Sequence, residues 1–377
     1  GRAPLMPNIF ISGSYADTEN STSTNTNTKN IGITLSQTIF DREKFLNLDQ
    51  SRLNLEVAEL SFLISKEQTI LRIVDAYFSI LIAQNNLITI EAEKDAVREQ
   101  LEFAKRNFEV GTSTITDQQE AQARFDLIRA SEIRANNNLA IARTNLEKSL
   151  LVVLPDNLLG INKKIKLENP KLSVPREWMQ IARENNLNVK VARIRTKLAT
   201  LELKKRKIAR MPSLNLSLSA NNSTIDSTTS ITQDVKTATL SISAPIYSGG
   251  SISASERQAV SELRREENTL EFEMLNADRL AGKSFRTFIA GLSQVEALEA
   301  AEESSKVALE SNKLGYEVGV RINIDVLNAQ KQLFSTQRDL AVARYEVLKA
   351  KLELLSAVGD LELSAVEEVS KLISDSN

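Results

Sequence analysis

Apolar and polar residues alternate along the chain with two different periods, and each period predicts one kind of element. In Ser213-Leu-Asn-Leu-Ser-Leu-Ser219 every second residue is a leucine and the residues between are Ser or Asn. Leu240, Ile242, Ala244 and Ile246 alternate in the same way with Ser241, Ser243 and Pro245. Upstream, Ile31, Ile33, Leu35 and Ile39 alternate with Gly32, Thr34, Ser36 and Thr38, and Ile9 and Ile11 with Asn8 and Ser12, although Phe10 breaks that pattern. A period of two predicts strands at 7–16, 31–40, 212–220 and 237–247. Each runs to about 9 to 11 residues, the length a tilted strand needs to cross a bilayer.

The rest of the chain has the longer period. Val326, Leu333, Leu340, Val347 and Leu354 recur every seven residues, with Ala329, Ala343, Ala350 and Ala357 three places behind members of that series. Such spacing predicts long helices packed along a narrow coiled-coil seam, with Ala allowing close approach. Helix breakers confirm the length: no Gly or Pro stands between Gly32 and Gly111, from Thr112 to Leu154, or from Val320 to Val358, and Ser251 to Leu314 holds only Gly282 and Gly291. The expected helices are 42–108, 114–150, 188–210, 252–315 and 322–357. A rod of roughly 66 residues would be on the order of 100 Å long. Polar faces such as Glu91-Ala-Glu-Lys-Asp-Ala-Val-Arg-Glu-Gln100 suit water. No run of 18 or more consecutive apolar residues predicts a transmembrane helix.

Composition narrows the chemistry. The 377 residues include no Cys and no His, which excludes thiolate or imidazole metal sites, a Ser-His-Asp triad, a Cys nucleophile and disulfides. Carboxylates are spread along rods rather than gathered in a pocket, so an enzyme is not expected, and neither is a cofactor. Lys plus Arg number 47 against 49 Asp plus Glu, a net charge of −2 that argues against a polyanion partner. Lys204-Lys-Arg-Lys207 has the look of a nucleic-acid patch, but at a helix end near a membrane a solvated collar explains it better. Ser248-Gly-Gly-Ser251 lacks the Gly-Lys-Ser/Thr ending of a phosphate loop and suits a strand-to-helix turn.

The chain also repeats itself. Phe108-Glu-Val-Gly111 answers to Tyr316-Glu-Val-Gly319, Asp117 to Asp325, Ala121-Gln122 to Ala329-Gln330, Ala135 to Ala343 and Leu146 to Leu354; upstream, Met6-Pro7 matches Met211-Pro212. The first repeat covers 1–186 and the second 187–377, each reading strand, polar loop, strand, very long helix, Gly turn, shorter helix. Pro155, Gly160, Pro170 and Pro175 mark an irregular link, expected to form a girdle with the tail after Gly359. The second repeat has the helix 188–210 before its first strand. The first has only Gly1 to Met6 there, so a precursor is expected to carry that helix after a signal sequence.

Alternating strands are most often the half-buried sheet of a soluble domain. Two features point to lipid instead. The segments Asp17–Asn30 and Asn221–Lys236 are rich in Ser, Thr and Asn, as expected of extracellular loops, and Phe40 and Tyr247 stand at the opposite ends, where an aromatic girdle lies. Four strands cannot close a barrel, and an open edge is not tolerated in lipid. Three copies would give twelve strands.

The Ala3-Pro-Leu-Met-Pro7 lead into the first strand, Gln37-Thr-Ile-Phe-Asp41 and Pro245-Ile-Tyr-Ser-Gly-Gly250 at the strand-to-helix junctions, and the two Val-Gly turns together resemble the TolC-like outer membrane efflux proteins, or outer membrane factors. The resemblance implies an α+β membrane protein: a homotrimer with a twelve-stranded β-barrel in outer-membrane lipid, continued by a long antiparallel coiled-coil α-helical tunnel through the periplasm of a Gram-negative bacterium. It further implies a passive exit duct for small molecules or polypeptides. The partners implied are a periplasmic adaptor and an inner-membrane pump of RND, MFS or ABC type. The resemblance places a gate latch at Thr116 and Asp117, facing Tyr316 and Arg321. It places a constriction at Asp325 and at Asn328, where the family has a second acid, so the ring charge is expected to be halved. The turns Val110-Gly111-Thr112 and Val318-Gly319-Val320 would form the adaptor-docking tip. The competing expectation is a soluble periplasmic coiled-coil scaffold or adaptor whose strands form a small sheet.

Overall fold

The computed structural model describes residues 2–19, 25–155, 170, 172–227 and 229–374, and among them four strands and seven α-helices follow one another. The order is β1 (Asn8–Thr18), β2 (Thr26–Phe40), α1 (Arg42–Glu109), α2 (Ile115–Leu150), α3 (Pro175–Asn185), α4 (Leu187–Lys207), β3 (Ser213–Asp226), β4 (Ser230–Ser243), α5 (Ser251–Glu317), α6 (Asn323–Ala357) and α7 (Leu363–Ser374). Two compact units result, one of Gly1–Phe62 with Lys190–Glu273 and one of Leu63–Val189 with Met274–Asn377. Each unit draws on both sequence repeats.

In the first unit the strands form an antiparallel sheet in the order β1-β2-β3-β4. Its register carries the chemistry. Ile9 lies opposite Leu35, Leu35 opposite Leu218 and Leu218 opposite Ala238; Ile11, Ile33 and Ala220 form the next row, while Leu214 faces Ile242 and Leu216 faces Leu240. Directly opposed residues share a face, so every apolar series falls on one side. Asn8 with Ser36, Thr34 with Ser219 and Ser217 with Thr239 fall on the other. Ile9, Ile11, Ile33, Leu240 and Ile242 of the apolar side are all exposed.

The strands are longer than their apolar alternation predicts. β2 begins at Thr26 and β3 runs to Asp226, so most of the segments expected to be loops are paired strand, with Ser223 opposite Gln233 and Thr224 opposite Thr232. Ser, Thr and Asn on both faces do not prevent a ladder, because its backbone hydrogen bonds are made whichever side chains line it. At its other end β4 stops at Ser243, not 247, and Tyr247 stands outside the sheet, exposed just before two glycines of positive φ, Gly249 (61°) and Gly250 (83°). Asp41 starts α1: one carboxylate oxygen accepts the N–H groups of Glu43 (2.9 Å) and Lys44 (3.3 Å), as an N-cap must.

The second unit holds the coiled-coil seam. Val326, Leu333, Leu340, Val347 and Leu354 are all buried, as are Ala343, Ala350 and Ala357. The seam is wider than a two-position stripe, since Leu327, Gln330, Tyr345, Leu348 and Leu352 are buried too. The reason is that α6 meets neighbours on several sides. Tyr345, Leu348 and Leu352 pack with Phe78 and Leu81 of α1 and Leu361 and Val369. Leu327 joins Val97, Leu101 and Ala104 of α1 and Ala121, Ile128 and Ala135 of α2. Val326 and Leu333 pack on Leu309 of α5. Each such apolar side chain contributes about 1.5–3 kcal/mol when fully buried, against about 0–1 kcal/mol for an exposed ion pair. Apolar contact therefore holds the rods together. α1 also contains an 18-residue window of mean hydropathy 1.3, 22% buried, apolar enough by composition to cross a membrane.

The tail after Gly359 contains α7, and the link ends in α3, whose Trp178 Nε1–H donates to the Leu172 carbonyl at 3.1 Å. Asn186 Nδ2–H donates to the Ala357 carbonyl (2.9 Å), tying the α3–α4 junction to the end of α6. Gly359, with φ +71°, lets the chain pass that junction: a Cβ there would lie 2.4 Å from the Asn185 carbonyl oxygen. Gly160 lies outside the described residues.

Candidate functional site

The sequence places its functional residues at the two reversals between long and short helices, and both reversals are built alike. Gly111 has φ 78° and Gly319 φ 77°, the left-handed region that glycine enters without a Cβ penalty. Beyond each glycine an N–H reaches back over the helix end: Thr112 donates to the Asn107 carbonyl at 2.8 Å and Val320 to the Gly315 carbonyl at 2.8 Å. A Cβ on either glycine would meet nothing within 4 Å, so backbone conformation, not crowding, selects the residue. The valines beside them are left in solvent, with Val110 72%, Val318 66% and Val320 79% exposed.

The next residues separate the two turns. Thr114 caps α2 in a reciprocal box: its hydroxyl accepts the Asp117 N–H (3.2 Å), and its own N–H donates to Asp117 Oδ2 (3.0 Å). The hydroxyls of Thr114 (2.8 Å) and Ser113 (2.7 Å) donate to the same oxygen. Partial burial pulls the Asp117 pKa upward, but the bonds from Ser113 and Thr114 outweigh it and hold the carboxyl below its ordinary value. In the second turn Ile322 occupies the cap position and offers no side-chain bond. Asp325 instead faces Arg321, 3.7 Å away and four residues apart, with side chains 35% and 58% exposed. Gly315 makes room for that arginine, because a Cβ there would fall 2.7 Å from Arg321 Cγ.

Of the four expected latch residues, Asp117 and Arg321 are therefore engaged within their own turns. Among the described residues no hydrogen bond or ion pair joins Asp117 or Thr116 to Tyr316 or Arg321. Thr116 is exposed. Tyr316 packs edge-on to Phe103, ring centroids 5.7 Å apart, and its buried hydroxyl has no partner among the described residues. All the bonds to Asp117 fall on Oδ2, so Oδ1 remains an acceptor. Asn328 is exposed one turn after Asp325.

Two polar connections escaped the sequence. Asn323, 0% exposed at the start of α6, accepts from Gln100 Nε2 of α1 (2.5 Å) and donates to the Asp117 carbonyl of α2 (3.1 Å). Glu93, 5% exposed, meets Arg124 of α2 at 3.3 Å and Arg338 of α6 at 2.9 Å. A signal for the first existed. Asn323, Gln330, Gln337, Arg344 and Lys351 recur every seven residues beside the apolar series, and four of them reach polar partners: Gln100, Glu302 (2.9 Å), Glu299 (2.7 Å) and Glu368 (2.8 Å). A polar residue at every second turn of one seam, four of five bonded to a neighbouring helix, is a zipper of inter-helix bonds.

Comparison with known proteins bears on the whole architecture. Residues 1–150 and 178–360 match the family model described as outer membrane efflux protein. The chain is 30% identical to the outer membrane protein TolC of Vibrio cholerae over 98% of its own length and 85% of the relative's. It is 26% identical to the proteases secretion protein PrtF of Dickeya chrysanthemi, covering 87% of this chain and 72% of that one. Among solved structures, the Campylobacter jejuni CmeC outer membrane channel superposes with a TM-score of 0.79 at 16% identity, over 99% of this chain and 82% of the other.

Proposed function

The chain belongs to the outer membrane efflux protein family, and from that premise we propose that its two helix reversals form the surface that docks a periplasmic adaptor, with Asp325 setting the charge of the constriction behind them. The protein is an outer-membrane exit duct that extends into the periplasm, serving efflux and type I secretion. It works as a homotrimer, in which three four-stranded sheets complete a closed twelve-stranded barrel and no strand edge is left in lipid. The soluble scaffold gives way to this architecture, and the exposed apolar rows of Ile9, Ile11, Ile33, Leu240 and Ile242 on one face of the sheet agree with it.

One observation carries the docking role. Val110, Val318 and Val320 are exposed on two turns of the same geometry and find no apolar cover among the described residues. Solvated valines on a rigid reversal suit a shallow apolar contact with a partner's helical end. The inner-membrane partner is then a pump of RND, MFS or ABC type. The gate follows from the weak bonds at the same place. Arg321 is held only by an exposed pair worth about 0–1 kcal/mol, and Asp117 keeps Oδ1 open. A guanidinium from an adjoining protomer can exchange between the two carboxylates, and the Tyr316 hydroxyl has a bond to give once the helix end moves. Three copies of Asp325 about the trimer axis favour cations and disfavour anions.

The test uses a strain lacking its own duct, complemented with Gly111→Leu, Gly319→Leu or both. Trimers and bilayer conductance are expected to persist while susceptibility to exported drugs rises to that of the uncomplemented strain. Unchanged susceptibility in the double variant overturns the docking role.

A further inference from the structure

The end of α4 carries Lys204, Lys205, Arg206 and Lys207 in its last turn, six residues before β3 begins. Cations at a helix C-terminus offset the macrodipole, and two of these four are also paired with an acid. Glu202 binds Lys205 (2.7 Å) and Arg206 (2.7 Å); burial pulls its pKa up, but bonds from Lys205 and Gln50 and the two positive charges hold it below the ordinary value. Lys204 and Lys207 are exposed and make no ion pair among the described residues. Exposed Arg210 reaches only the Ser253 hydroxyl (3.1 Å), and exposed Arg42 adds a further charge where α1 leaves the sheet.

This cationic group is fixed against one edge of the sheet. Lys205 Nζ donates to Asn47 (3.2 Å) and Gln50 (3.3 Å) of α1, and Lys44 Nζ donates to the Thr38 hydroxyl of β2 at 2.5 Å. At that edge β1 begins, β2 ends, β3 begins and β4 ends. The exposed apolar rows run up to it, and exposed Phe40, Ile246 and Tyr247 stand beside it. The opposite half of the sheet carries Asp17, Asp226 and Asp234 against Lys29 and Lys236, two of them neutralised as a pair (Lys29–Asp226, 3.7 Å). Among the described residues, the apolar band is thus bordered on the helical side by a cluster of cations without ion pairs, whereas the one such cation of the far half, Lys236, stands among three carboxylates.

We propose that this collar binds the anionic headgroups of glycerophospholipids in the leaflet next to the helices, through Lys204 and Lys207 with Arg42 and Arg210. The occupant follows from continuity: a lipid whose acyl chains cover the apolar rows has its phosphodiester at the level of the sheet edge, within reach of flexible lysine stems. A headgroup with no compensating amine, such as phosphatidylglycerol, keeps its net charge for them. Each cation near an anionic surface favours binding by about fivefold, and screening by salt weakens it. The proposal rests on the sheet's membrane placement and not on adaptor docking.

Trimers of the full chain in non-ionic detergent are titrated with phosphatidylglycerol or phosphatidylcholine of the same acyl chains, and retained lipids are counted by native mass spectrometry. Phosphatidylglycerol should be retained roughly tenfold better or more. Lys204→Gln with Lys207→Gln should abolish most of that preference, while Lys29→Gln with Lys236→Gln, the same charge removed from the far half, should keep it. Equal retention of both lipids overturns the proposal, as does a preference unaffected by the α4 pair or lost with the control pair. Bilayer conductance of the α4 variant, expected unchanged, reports separately on barrel formation.

Discussion

The reversal at Gly111 and the reversal at Gly319 share a backbone and differ in what their side chains do with it. Both helices end in a left-handed glycine with a matching N–H returned over the last turn. Yet Ser113, Thr114 and Asp117 of the first turn stand where the second has Arg321, Ile322 and Asp325. In the first, the carboxylate is spent on its own helix start. In the second, an apolar cap position leaves the equivalent carboxylate to a loosely held arginine. A duplicated unit has thus kept its backbone geometry while one copy caps its helix with a carboxylate and the other leaves that carboxylate to an exposed arginine.

The largest expected effect comes from removing the residue that couples the two. Asn323→Leu leaves Gln100 and the Asp117 carbonyl without a buried partner, at about 1–3 kcal/mol per protomer. Thermal unfolding in detergent should shift down, and if it does not, the two turns are independent. Next is an exchange of caps. Thr114→Ala should cost about 1 kcal/mol, whereas Ile322→Thr should add about 0.5–1 kcal/mol by giving Asp325 a capping box; equal effects of either sign would show that the turns do not differ as described. Acid should act through the first turn. A carboxyl held below its unfolded value adds stability that is present above an unfolded pKa near ~3.9 and is lost as pH falls through the folded one. Asp117→Asn should flatten that acid limb in a stability profile, and an unaltered limb would remove Asp117 as its source. The smallest effect on stability, about 0–1 kcal/mol, belongs to Asp325→Ala, which is read by conductance. Divalent-cation block should weaken in Asp325→Ala and strengthen in Asn328→Asp; block that ignores both substitutions would separate these positions from the constriction.

Much of the fold was legible because burial in this protein follows periodicity. The strand faces could be read from Leu214, Leu216 and Leu218, and the register aligns those leucines with the apolar series of their neighbours. The core of α6 could be read from its heptads. Strand length was not legible, because Thr26 to Asn30 and Asn221 to Asp226 have the composition of a loop, Ile225 being their one apolar residue, and the cross-strand polar pairs such as Asn222 with Asp234 (2.7 Å) show no period in the sequence. The turns could be located from two Val-Gly pairs. Their inner bonding could not: a carboxylate three residues after a threonine is both a cap and a candidate latch until the hydrogen bonds are seen. Asn323 and Glu93 were missed because polar residues in long helices are ordinarily solvated, and only the seven-residue spacing of the polar series distinguishes a zipper from a wet face.

Glu93 sets a mechanical limit on how the helix ends at the two reversals can bend. Its carboxylate holds arginines from two other helices while almost wholly buried, and stripping one partner from such a cluster costs about 3–5 kcal/mol. Seventeen residues separate it from Val110, about 25 Å of helix. A force applied at the valine tip therefore has a lever arm of that length and a fulcrum at the guanidinium–carboxylate knot. Bending is cheapest on the tip side of the knot, so the mouth can flex without the rods behind it sliding out of register.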